Sequence, residues 1–207
     1  MITSKSLHHS NIALLFHEKS FALPESADLM ALYRGEEAKG ARLVDDPVLR
    51  AKVLTLPAIK TRFTVEYPRV RIDDESGEEI EKSRLAKDAR HAYDTLFSRY
   101  PLSAWGINMD IYFRTQNLIQ LRELFLPFFA DEALDGADLL DTGIQFTLKR
   151  KKVVEVWFLK VTGPLEVAVH VNRHFTDVPF PDEKGLQDAL EKCYTETDNM
   201  MKHFSFA

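Results

Sequence analysis

The side chains able to do chemistry fall on three alternating stretches. Arg62, Thr64 and Glu66 share one parity between Ile59 and Tyr67. Asn108, Asp110, Tyr112 and Arg114 do so between Trp105 and Thr115, and His170, Asn172 and His174 between Leu165 and Phe175. Alternate residues of a strand project from one face. If one side of a sheet carries all three sets, it joins acids, bases and an aromatic ring on one surface. Trp157 and Leu159 are expected to add an apolar patch to it. Such a surface suits a protein interface, a homodimer above all, or else a small-molecule or catalytic cleft. Convergence of Asp110, Arg114 and His170 within hydrogen-bond reach in a concavity would mark the cleft.

Other reactive residues read as structural. His170 and His174 lie about 13 Å apart along one strand, too far to hold one ion. His8 and His9 are adjacent, so an extended chain points them to opposite sides. Asp73-Asp74-Glu75 and Asp131-Glu132 lack the spacing of a calcium loop and read as solvated turns. Cys193 falls in the apolar stripe of the last helix, with no neighbouring base to activate it. There is no glycine-rich phosphate loop, no G-x-S-x-G, no H-E-x-x-H and no C-x-x-C. No metal and no cofactor is expected.

The elements that must position these residues follow from periodicity. Ile12, Leu14 and Phe16 alternate as a first strand. Residues 24–35 suggest a short helix, and Asp46-Pro47 signals the start of another, with Val48 to Leu54 as one or two turns or, equally, Val53 to Leu56 as an extended lead-in. The stretch from Ile59 to Tyr67 alternates as a strand. Pro68 then predicts a bulge or a sheet edge. From about Glu78 to Tyr100, Leu85, Ala89, Ala92, Tyr93, Leu96 and Phe97 make a helical stripe, ended by Pro101. After the strand 104–115, Asn117 caps a helix carrying Leu118, Leu121, Leu124, Phe125 and Phe128, followed by an acidic loop from Ala130 to Asp141. Three strands come next: 144–149, a central one at Val153 to Val161, and 165–175. Their short links favour antiparallel pairing. A last helix starts near Asp182 or Glu183 and runs to the C-terminus.

The expected fold is α+β: a mostly antiparallel sheet of about six strands, with two long helices and one or two shorter helices packed on one face. Residues 1–207 read as one domain, with 1–8 a flexible arm.

Composition narrows the function classes. The chain has 207 residues and a formal net charge of −5, so no global field draws it to nucleic acid or to an anionic membrane. The only dense basic run, Lys149-Arg150-Lys151-Lys152, reads as a solvated hairpin turn. One cysteine permits no internal disulfide, which fits a reducing compartment. No stretch approaches a membrane span, and the polar N-terminus does not resemble a signal peptide. A soluble, cytoplasmic, non-enzymatic binding or assembly protein is expected, acting on a protein partner or on itself through a sheet face or edge. The alternative is an enzyme or small-ligand-binding protein with its site on the polar face. The candidate surface comprises Arg62, Asp110, Tyr112, Arg114, Trp157, His170 and His174.

Overall fold

The computed structural model describes residues 2–117, 119 and 143–203. Among the described residues nine strands form one sheet: β1 (Ile2–Phe16), β2 (Arg42–Asp46), β3 (Ala51–Leu56), β4 (Thr61–Glu66), β5 (Arg69–Asp74), β6 (Leu102–Thr115), β7 (Gly143–Arg150), β8 (Val153–Gly163) and β9 (Glu166–Thr176). Their order is β2-β3-β4-β5-β1-β6-β9-β8-β7, and every neighbouring pair is antiparallel. The described α-helices are α1 (Ser26–Met30), α2 (Leu85–Ala92) and α3 (Glu183–Met201).

The expected six strands and two long helices are therefore corrected. The helical turns expected after Asp46-Pro47 are instead a β2–β3 hairpin. The Asp46 carboxylate does accept from the backbone N–H groups of Val48 and Leu49, at 2.9 Å each. That chemistry starts a helix or closes a turn equally well. Pro68 marks neither a bulge nor an edge. With Tyr67 it forms the two-residue turn between interior strands β4 and β5, where Glu66 pairs with Arg69. The arm at residues 1–8 is also corrected: residues 2–8 belong to β1 and pair with β6. The long helix expected from Glu78 begins only at Leu85. Ile80 is buried, and its carbonyl accepts from Gln187 of α3, so the acidic lead-in packs as a turn. After Ala92 the helix widens into one π turn, Tyr93–Phe97, which seats Phe97 against Phe16 and Phe21. The helix and acidic loop expected over 117–141 lie, but for Asn117 and Ile119, outside the described residues.

Alternation sets the core. Leu54, Phe63, Val65, Val70, Ile72, Ile12, Leu14, Trp105, Ile107, Met109, Val169, Val171 and Trp157 are all buried on one face, under α2 and α3. Helix α3 supplies Leu186, Leu190, Cys193 and Met201, and Asp182 caps its start by accepting from Gly185 N–H at 2.8 Å. Charged groups are buried within this layer as well, among them Asp88, Glu155 and Arg173. Asp88 of α2 accepts from Tyr33 and Thr61 at 2.7 Å each and from Arg84 at 3.3 Å. Arg173 of β9 pairs with Glu155 of β8 at 2.9 Å and Glu196 of α3 at 2.5 Å. Among the described residues no helix is long and apolar enough to cross a membrane. The basic run forms the β7–β8 turn, with Arg150 to Lys152 exposed.

Candidate functional site

The opposite face of the sheet carries the polar parities, and no described helix packs there. Register brings distant residues together on it. Asp110 lies directly opposite His170 across β6 and β9 and opposite His9 across β6 and β1. Arg62 lies opposite Asp73 across β4 and β5. A β-bulge shapes the β1 side. Leu7 pairs with Ile111 and His9 with Asp110, so His8 is an extra residue with no partner in the ladder. The bulge defeats strict alternation. His8 and His9 both reach the open face: the His8 ring lies 4.0 Å from that of Tyr112, and His9 joins a chain of ion pairs.

That chain crosses five strands. His170 Nδ1 is 2.7 Å from Asp110 Oδ1, and His9 Nδ1 is 3.2 Å from Asp110 Oδ2. His9 Nε2 is 3.0 Å from Asp73 Oδ1, and Asp73 Oδ2 accepts from Arg71 at 3.0 Å. Arg62 approaches Asp73 at 3.5 Å and pairs with Glu75 at 2.9 Å. Hydrogen bonds from His170 and His9 hold the Asp110 carboxyl well below the usual carboxylate range. Burial pushes the Asp73 carboxyl up, but bonds from His9 and Arg71 outweigh it, and the net shift is downward. Both acids are thus ionised and can only accept. It follows that both His9 nitrogens donate, making His9 an imidazolium. The same two bonds raise its pKa to about 9 against the opposing effect of burial. It also follows that His170 Nδ1 donates to Asp110, so that in the neutral ring Nε2 is the nitrogen left to accept.

A groove of about 470 Å³ opens beside this chain. His8, His9, Asp110, Tyr112, Phe158 and His170 line it, with Lys160, Thr162 and Ala168 completing the wall. Phe158 is 38% exposed although it is a large apolar side chain on a strand. The groove therefore pairs aromatic walls with an Asp–His dyad, an arrangement that can hold a ligand donor at Nε2 or take a proton from it. His9, carrying a proton on both nitrogens, has no lone pair for a metal. Among the described residues no cluster of three or more His, Cys, Asp or Glu is spaced for a metal ion. Cys193 is fully buried on the covered side, where burial pushes its thiol up to about 11.

Of the expected surface residues, Asp110, Tyr112 and His170 converge at the groove. Arg62 reaches it only through Asp73. Arg114 lies towards the end of β6, opposite Glu166, and does not line it. His174 lies opposite Gly106, four residues along β9 from His170, and is not part of the lining either. Trp157 is a correction. It pairs in register with Val171 and Phe146, both on the covered face, and is 1% exposed. Strand β8 is apolar on both parities, so sequence alone does not tell its faces apart. It lies next to the edge strand β7 rather than at the centre, and Phe158 supplies the apolar patch assigned to Trp157.

His8, His9 and Asp73 were not among the expected site residues. One signal for the histidines was present. Leu7 belongs to an odd apolar parity, whereas Ile12, Leu14 and Phe16 belong to an even one, and a change of phase inside one strand implies an extra residue near His8.

No protein-family model matches the chain, and no curated protein is significantly similar to it.

Proposed function

We propose that this protein binds a small molecule in the groove on the open face of its sheet. The observation that supports the reading is the Asp110–His170 dyad at 2.7 Å, set beside an exposed Phe158 on a face without described helices. The ligand has a flat or apolar part for Phe158, Tyr112 and His8, and at least one N–H or O–H donor for His170 Nε2. His9 serves as a positioning residue: tied to Asp73, it fixes the second oxygen of Asp110 so that the first faces His170. The competing reading, a protein interface across the same face, keeps only Phe158 as an apolar anchor, because Trp157 lies on the other side.

A thermal-shift screen of metabolites grouped by chemical class tests this. A ligand at a hundredfold excess over its Kd raises the melting temperature by about 5–10 °C in a chain of this size. Asp110→Asn and His170→Ala each abolish that rise, while Arg114→Ala leaves it intact. A hit whose shift survives both groove variants, or a broad panel with no hit, would reject the groove. Consumption of the hit over time would make the dyad a general base and the protein an enzyme.

A further inference from the structure

The far end of the sheet has a different character from the groove. Val44, Val48 and Leu49 are 62%, 88% and 73% exposed. All three lie in β2 or the turn that follows it, and Met30 of α1, which packs on β2 and β3, is exposed as well. Strand β2 has one neighbour, β3, so its outer N–H and C=O groups face outward without a described strand partner. It contains neither the Lys nor the Pro with which edge strands are commonly blocked.

Its sequence, Arg42-Leu43-Val44-Asp45-Asp46, carries opposite charges at its two ends, with Leu43 facing Asp45 when a reversed copy is laid beside it. Antiparallel pairing of two copies about a twofold axis at Val44 sets Arg42 of each opposite Asp46 of the other, and Val44 opposite Val44. These three positions share the open side of the sheet, because Leu43 and Asp45 pair with Leu54 and Lys52 on the covered side. Neighbouring registers are worse. A slide of two residues one way opposes Asp45 to its own copy. The other way it opposes Arg42 to Val44 and moves Asp46 beyond the second copy's β2, opposite Gly40. Of the two acids, Asp46 is free for the role. Asp45 is already neutralised by Lys52 at 3.0 Å. Asp46 caps its turn through Oδ1 alone, which leaves Oδ2 for the second copy's Arg42.

We infer that the partner of this edge is a second copy of the chain, paired through β2 in that register so that two nine-stranded sheets become one. The turn bearing Val48 and Leu49 then lies against Gly40 and Ala41 of the second copy, which removes the exposed apolar side chains from water. The groove, centred on β1, β6 and β9, lies several strands away, so this inference stands apart from the ligand reading.

Absolute mass by size-exclusion chromatography with light scattering tests it. The expected mass is twice 23.8 kDa. Val44→Lys sets two ammonium groups against each other on the axis, and Arg42→Asp sets acid opposite acid. Each is expected to weaken the dimer at least tenfold and give monomer at low micromolar concentration. Thr147→Lys on the other edge strand, β7, leaves the dimer unchanged. Arg42 is exposed, so a thermal melt of Arg42→Asp matching the wild-type monomer verifies its fold even if Val44→Lys does not fold. A monomer at high concentration overturns the inference. So does a dimer that survives both β2 variants, or an assembly that grows without limit through the second edge.

Discussion

Asp88 and Asp110 are both carboxylates ringed by hydrogen-bond donors, on opposite faces of one sheet. Asp88 is fully buried, and its partners are a phenol, a hydroxyl and a guanidinium. None of these changes protonation near neutral pH, and burial together with Asp88 pushes the Tyr33 phenol further up. Asp110 is half-buried, and its partners are two imidazoles. The covered acid is a permanent tie between α2, β4 and the segment after α1. The open acid belongs to a chain within reach of water and holds one imidazole at the edge of a groove. What separates a structural carboxylate from a chemically available one here is the kind of donor around it and the access of water to them.

Removing each acid exposes that difference. Asp88→Ala leaves the Tyr33 hydroxyl without its partner in a dry layer and takes one bond each from Thr61 and Arg84, which keep Ile59 and Glu37, and should cost about 3–5 kcal/mol. Chemical denaturation would read this directly, and a thermal melt would show a fall in melting temperature of about 6–20 °C. Asp110→Ala, in a wetter place, should cost about 1 kcal/mol or less while abolishing ligand binding. Equal costs for the two would remove the distinction.

The pH dependence sharpens it further. His9 has a folded pKa raised to about 9 from 6.5, so its contribution is fully present below pH 6.5 and fades as pH rises through 9. The stability gap between wild type and His9→Gln should therefore shrink from about 1–2 kcal/mol at pH 6 to near zero by pH 10, after allowance for a side chain one-third exposed. Asp73 and Asp110 work in the other sense: their carboxyls lie low in the folded state, so their contribution is lost as pH falls below about 4. A flat gap from pH 6 to 10, or an NMR titration of the His9 ring near 6.5, would refute the imidazolium. The smallest effect belongs to Phe158→Ala. Its side chain is exposed, so stability should move by less than about 0.5 kcal/mol while the ligand-induced shift disappears. A large stability loss would mean that Phe158 is a core residue after all.

How far the sequence reveals this depends on where pairing information resides. Strand β6 and helix α3 are legible because their periodicity is local and unbroken. The β2–β3 hairpin is not, since Asp46-Pro47 offers the same capping chemistry to a turn as to a helix. The faces of β8 are not legible either, because only register with Phe146 and Val171 separates Trp157 from Phe158. The site divides the same way. Asp110, Tyr112 and His170 stand on clean alternating strands. Asp73 looks like a turn acid until β5 pairs with β1 and β4 and brings His9 and Arg62 to it.

The bulge at His8 has a consequence for how this chain tolerates changes in length. Losing one residue from the middle of a strand normally inverts the facing of everything on one side of the gap. Here Leu7 already faces Ile111 and His9 already faces Asp110, so excising His8 alone would join the ladder directly from Leu7 to His9 with the pairings on either side kept. Excising Leu7 instead would put an imidazole where a core leucine sits. A version of this protein one residue shorter at that point would keep the whole sheet and the Asp110–His170 dyad. It would lose only the ring tilted against Tyr112, and with it one wall of the groove.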